Sequence, residues 1–160
     1  MAIDTFTKWI EAMPVASIKA EKAMDFITEI MHRFRVPNTI FTDNGTQFTA
    51  AEFLDFCDDK GIKVNFASVA HPQSNGQVEH ANSLILQGLK PRLFNRLKSY
   101  ATRWVKELSS VLWALRTTPS RATGQSPFTL DYGSEVMLPT EVDHKSFRVQ
   151  HYNENQSDES

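Results

Sequence analysis

Polar and apolar positions follow two rhythms along the chain, one with the period of a strand and one with that of a helix. Lys8-Trp9-Ile10-Glu11-Ala12-Met13 alternates as a half-buried strand does, and Pro14 closes it. Ile3-Asp4-Thr5-Phe6 reads as the end of an earlier strand, so a turn at Phe6-Thr7-Lys8 pairs the two as a hairpin. The rhythm then changes. Ala20, Ala23, Met24, Ile27, Ile30, Met31 and Phe34 recur at spacings of three and four, which predicts a helix from Ala20 to Phe34. Thr39-Ile40-Phe41-Thr42 is β-branched and aromatic and predicts a buried strand, with Asp43-Asn44-Gly45 as the turn after it.

Thr49-Ala50-Ala51-Glu52 has the spacing of a capping box and predicts a helix from Ala50 to about Lys60, ended by Gly61. Ile62 to Ala67 reads as a further strand. His71-Pro72-Gln73-Ser74-Asn75-Gly76 is rich in turn residues, and Ser74 with Gln77 forms a second capping box, so a helix is expected to start near Asn75. Pro91 is expected to kink or end it. A last helix carries Trp104, Leu108, Val111, Leu112 and Leu115 and stops before Pro119. Strands separated by helices of this length indicate an α/β domain with a partly parallel sheet.

Composition narrows the classes. The chain has 160 residues, 41% hydrophobic and 22% charged, which suits one globular domain. No apolar run approaches the roughly 20 residues of a membrane span. Met1-Ala2-Ile3-Asp4 lacks the basic and apolar regions of a secretory signal. The single cysteine, Cys57, excludes an internal disulfide and a multi-cysteine zinc cluster, and reads as a small buried hydrophobe. The net charge of −2 hides an asymmetry. Between Ile85 and Arg121 there are eight basic residues and one acid, whereas from Asp131 to Ser160 there are seven acids and two bases. A basic segment beside an acidic tail hints at contact with a polyanion, and equally describes a solvated helix face.

Three acids stand at special places. Asp4 lies at the end of the first strand, Asp43 directly follows the strand Thr39 to Thr42, and Glu79 lies in the first turns of the helix after Ser74. Thirty-five residues separate Asp43 from Glu79. Carboxylates at strand ends and on a neighbouring helix can converge, and hard divalent cations take oxygen ligands of this kind. Two such ions clamp the attacking and leaving oxygens of an in-line phosphoryl displacement, and bridging two ions needs roughly three acids. Each acid also has a plainer role open to it: Asp4 as the cap of the hairpin turn, Asp43 as a turn residue, and Glu79 as a favourable charge at a helix N-terminus.

The surrounding motifs add a resemblance. Ile3-Asp4-Thr5-Phe6-Thr7-Lys8-Trp9-Ile10-Glu11-Ala12, Thr42-Asp43-Asn44-Gly45-Thr46-Gln47-Phe48 and His71-Pro72-Gln73-Ser74-Asn75-Gly76-Gln77-Val78-Glu79 resemble the three active-site segments of integrases from Ty3/gypsy-type long-terminal-repeat retrotransposons. The spacing matches the family's D,D-35-E pattern. Arg116-Thr117-Thr118-Pro119, Thr123-Gly124-Gln125-Ser126-Pro127-Phe128 and Tyr132-Gly133 resemble its downstream signature in the plant-type form. The likeness covers about Met1 to Val142, leaving residues 143–160 as an acidic polar tail expected to be disordered.

This resemblance implies an α/β fold of the RNase H-like kind, a mixed five-stranded sheet flanked by helices. Only three residues precede Asp4, so the first strand is expected to be short. It implies Asp4, Asp43 and Glu79 as catalytic metal ligands for Mg²⁺ or Mn²⁺, as two ions, and no small-molecule cofactor. The implied reaction is DNA integration by polynucleotidyl transfer: trimming of the element's 3′ ends, then strand transfer into target DNA. His71 to Gly76 becomes a mobile active-site loop, and Asn75, Gln77, Lys90, Arg92 and Arg96 become DNA contacts, with Gln77 equally readable as a capping-box partner. The implied partners are the element's DNA ends, target DNA and further copies of the chain, with no membrane; the implied location is the nucleus, after a cytoplasmic particle. Such integrases also carry a His-His-Cys-Cys zinc domain and a C-terminal domain, neither of which is expected in this chain. The expectation is therefore an integrase catalytic core that is a fragment or a degenerate copy. Its alternatives are an inactive remnant that only binds nucleic acid or oligomerises, and an RNase H-type nuclease.

Overall fold

The computed structural model describes residues 1–66, 72–94, 100–121 and 123–135. The chain runs β1 (Ala2–Ile3), β2 (Ile10–Glu11), α1 (Ala20–Arg33), β3 (Thr39–Thr42), α2 (Thr46–Thr49), α3 (Ala51–Asp59), β4 (Lys63–Phe66), α4 (Pro72–Phe94), α5 (Tyr100–Thr117) and α6 (Pro127–Tyr132). The expected alternation of strand and helix is present. The sheet is not one five-stranded layer. Among the described residues β1 pairs antiparallel with β2, and β3 pairs parallel with β4. A two-residue strand offers few ladder bonds, and β1 uses its own on β2.

The elements pack into two groups. In one, α1, α2 and α3 lie with the β3–β4 pair around Ala20, Ile27, Phe53, Cys57 and Ile62. Phe53 is completely buried. In the other, α4, α5 and the β1–β2 hairpin enclose Ile10, Ala81, Ile85, Leu89, Leu108, Val111 and Leu112, and α6 lies on α5. Here α4 and α5 approach closely at Gly88, where an added Cβ would come within 2.7 Å of a Val111 methyl.

Several local expectations are corrected. The Thr49 hydroxyl does not cap α3; it turns back to the carbonyls of Gly45 and Thr46, because the short α2 already claims that segment. Helix α4 starts at Pro72 instead of near Asn75, so Pro72 to Gly76 belongs to the helix and Ser74 is not at its cap. His71 lies outside the described residues. Helix α4 runs through Pro91 to Phe94. The carbonyl that this proline leaves without a donor belongs to exposed Gln87, where water can serve it. The short α6 was not expected, although Ser126 accepts from the Thr129 N–H at 3.1 Å, Pro127 follows as the first helical residue, and Gly133 closes at φ 72°. That is the ordinary punctuation of a helix. The expected disordered tail, 143–160, lies outside the described residues.

Candidate active site

Asp4 sits where the hairpin turns. Its N–H donates to the Trp9 carbonyl at 2.9 Å, and its carbonyl accepts from the Lys8 N–H at 3.0 Å. Lys8 takes a left-handed backbone, φ 61°, to close the turn. The Asp4 Oδ1 accepts from the N–H of Phe6 at 3.0 Å, the N–H of Thr7 at 2.6 Å and the Thr7 hydroxyl at 3.0 Å. The capping role open to Asp4 is thus real, and it occupies one oxygen. The residue as a whole is exposed.

Asp43 directly follows β3, outside the carboxyl end of a parallel strand, where crevices form in α/β folds. Its Oδ1 accepts from the Gly45 N–H at 2.9 Å. A Cβ at position 45 would lie 2.8 Å from that oxygen and 2.5 Å from the Gln47 side-chain nitrogen, so glycine allows this approach. Glu79 lies two turns into α4 and is exposed.

One contact joins the hairpin to α4. Lys8 Nζ donates to the Thr5 carbonyl and, at 3.2 Å, to the Gln77 Oε1. Gln77 is two residues before Glu79, so the turn that carries Asp4 abuts the helix that carries Glu79. Gln77 is not a capping partner here, since α4 begins five residues before it. No comparable contact gathers Asp43. Among the described residues, no three His, Cys, Asp or Glu side chains lie close enough to hold one metal ion. Among the described residues no ladder joins β1 to β3, the strands that lead into Asp4 and Asp43. The donors themselves are exposed carboxylate oxygens, which suit a hard cation that keeps part of its water shell.

The basic side chains divide. Lys90 is exposed. Arg92 forms an ion pair with Glu107 at 3.1 Å. Arg96 and the Asn75 side chain lie outside what is described. An apolar groove of about 350 Å³, lined by Ala12, Met13, Ile85, Leu89, Lys90 and Trp104 among others, includes none of the three acids.

Two features escaped the sequence reading. Glu11, only 5% exposed, is the centre of a buried polar cluster. It accepts from the Trp9 indole N–H at 2.9 Å and pairs with Arg33 at 3.0 Å and Arg116 at 3.2 Å. Arg116 also donates twice to the Ile10 carbonyl, at 2.9 and 2.7 Å, and stacks 4.5 Å from the Trp9 ring. Burial pulls the Arg116 guanidinium below its ordinary pKa, and the Glu11 charge opposes that. Around Trp9 lie Phe34, Tyr132 and Phe128, with ring centroids 5.6–6.2 Å away. The second feature is Asp131 on α6. Burial first, then the charges of Asp4 and Glu11, raise its pKa above the ordinary carboxylate value, with Arg35 opposing. The sequence signals for the first were the segment Ile3 to Ala12, which contains Trp9 and Glu11, and the downstream motif beginning at Arg116.

The described residues form an α/β arrangement with one acid at a hairpin turn, one directly after a strand and one on a long helix. Residues 1–72 match the family model described as integrase core domain, so this part of the chain carries that domain. It is 31% identical over 142 residues to the Pro-Pol polyprotein of simian foamy virus type 3, covering 87% of this chain and 12% of the polyprotein. The chain thus spans about an eighth of the length of the curated relatives it matches. Among solved structures it is similar to a simian T-cell lymphotropic virus intasome in complex with the PP2A regulatory subunit B56 gamma, with a TM-score of 0.72 and 20% identity over 85% of this chain and 48% of that one. It is also similar to the HTLV-2 integrase catalytic core domain in complex with magnesium, in a trimeric form, with a TM-score of 0.68 and 21% identity over 81% of each chain. At these identities the structural likenesses establish the RNase H-like fold.

Proposed function

We propose that this chain is the catalytic core of a Ty3/gypsy-type retrotransposon integrase, occupying about residues 1–142, and that it joins DNA by metal-dependent polynucleotidyl transfer. The observation that carries the reading is the contact between Lys8 and Gln77, which sets the Asp4 turn against the helix bearing Glu79. In this reading Asp4, Asp43 and Glu79 hold Mg²⁺ or Mn²⁺, up to two ions. The metal, when bound, polarises a phosphodiester and activates a water or a 3′ hydroxyl. The chain's own part is to order the carboxylates: three donors hold the Asp4 Oδ1, and the Gly45 N–H holds Asp43. Lys90 supplies a phosphate contact that positions DNA without reading its sequence, and Asn75 and Arg96 are assigned to the same surface. Arg92 joins them only by giving up Glu107. The partners are element ends, target DNA and further copies of the chain, and the place of action is the nucleus.

A second reading, an inactive remnant, is favoured by the absence of a gathered three-acid cluster among the described residues. Strand transfer on a branched DNA that mimics the integration product separates the two, run with Mg²⁺ or Mn²⁺ and with Glu79→Gln as control. The expected result is metal-dependent joining that falls by at least about a hundredfold in the Glu79 variant, a loss of about 2.7 kcal/mol of transition-state stabilisation. A folded wild-type chain that joins nothing overturns the catalytic reading in favour of the remnant. Cleavage of the RNA strand of a hybrid would instead favour a ribonuclease.

A further inference from the structure

We propose that Thr7 is a positioning residue for the Asp4 carboxylate, and that it transmits to Asp4 the anchoring of the buried Glu11–Arg116 cluster. This rests on the reading of Asp4 as a metal ligand. Thr7 is unusual for a turn residue: it is 8% exposed, while Phe6 beside it is 78% exposed. Its hydroxyl is bonded on both sides. The Trp9 N–H donates to Oγ1 at 3.2 Å, and Oγ1 donates to the Asp4 Oδ1 at 3.0 Å. A backbone N–H can only donate, so the hydroxyl accepts from Trp9 and its own proton goes to the carboxylate. Together with the N–H groups of Phe6 and Thr7, this gives Oδ1 three donors.

The other end of the chain of bonds is held by several contacts. The Trp9 indole N–H is held by Glu11, and its ring lies under the Arg116 guanidinium. Arg116 grips the Ile10 carbonyl with two donors. An unbroken path therefore runs from Arg116 and Glu11 through Trp9 and Thr7 to Asp4. A carboxylate in a turn just past a two-residue strand would otherwise lose rotamer freedom on binding a cation. Ordering it beforehand removes that cost, as partners behind metal ligands do generally.

The test uses the full 160-residue chain and reads Mn²⁺ binding by calorimetry, melting temperature, and strand transfer on branched DNA. Thr7→Val keeps the branched shape and removes the hydroxyl; Thr7→Ser keeps the hydroxyl. The expected result for Thr7→Val is Mn²⁺ affinity lowered about tenfold, with kcat reduced and the KM for DNA unchanged. Thr7→Ser is expected to bind and react like the wild type. Wild-type Mn²⁺ affinity in Thr7→Val, in a protein whose binding is lost in Asp4→Asn, overturns the role of Thr7 alone. Absence of Asp4-dependent Mn²⁺ binding in the wild type overturns the functional reading and this proposal with it. If Thr7→Val does not fold, Arg116→Lys carries the test, since it keeps the charge and removes the two-donor grip. A folded Arg116→Lys chain with weakened Mn²⁺ binding supports the relay, and one with unchanged binding overturns it.

Discussion

The two halves of this molecule are built differently. The half around Phe53 is made of neighbours in sequence: β3, α2, α3 and β4 follow one another, and the parallel β3–β4 pair is closed by the helices between its strands. The half around Val111 is made of distant partners. Its hairpin near the start of the chain is clamped by Arg116, 106 residues after Ile10. The acids are divided between the halves, with Asp43 on the first and Asp4 and Glu79 on the second. A site split in this way depends on the seam, and the seam holds the Glu11–Arg33 ion pair and the Trp9–Phe34 ring contact at 5.8 Å. The difference teaches that local folding presents each acid separately, while their relative placement rests on a few long-range polar contacts.

The largest effect is expected from Phe53→Ala. It removes a fully buried ring from the sequence-local half and should cost about 4 kcal/mol in urea unfolding. Amide exchange should accelerate most in α1, α3 and β4. Equal acceleration in α4 and α5 would show that the halves unfold as one unit and would break the comparison. Next comes Glu11→Ala at the seam. It leaves the Trp9 indole N–H, Arg33 and the mostly buried Arg116 without their carboxylate, for a loss of about 3 kcal/mol; the half-exposed Arg33 keeps the figure from being larger. Exchange should rise in both halves. A rise confined to one would mean that Glu11 does not join them.

The smallest effect concerns Asp131. Its pKa is raised in the folded chain, so its protonated form is the favoured one there. Its contribution to stability is therefore full below the ordinary value of 3.8 and is lost as pH rises through the raised value. Asp131→Asn should raise the melting temperature at neutral pH and make no difference in acid. An increase of the same size at both would sink the idea that burial, together with the charges of Asp4 and Glu11, disfavours the ionised Asp131.

Much of the sequence-local half was legible from periodicity. Helix α1, strand β3, and the end of α3 with Gly61 at φ 69° lie where the pattern puts them, because each is decided by a rhythm and a stop signal within a few residues, although β3 is not the buried strand expected: Phe41 is 45% exposed and only Thr42 is buried. The hairpin turn at Asp4 was legible for the same reason. Glu11 was not. An alternating strand reads as having one wet face, yet Trp9, Ile10 and Glu11 are all buried, because α1 and α5 bring arginines from far along the chain. Pro91 inside α4 and the unused capping box at Thr49 are further cases where packing overrode a local rule.

By itself, the sequence determined the order of strands and helices and the placement of three acids at element ends or first turns. It also carried the family motifs, since these depend on residue type, spacing and local backbone preference. Only the tertiary structure decided that the strands form two pairs, that Gln77 is spent on Lys8, and that Thr7, Trp9, Glu11 and Arg116 stand behind Asp4. The strand pairing, the Lys8–Gln77 contact and the Arg116 grip join residues far apart in the chain, which no local pattern specifies, and they give the short-range Thr7–Asp4 and Trp9–Glu11 bonds their backing.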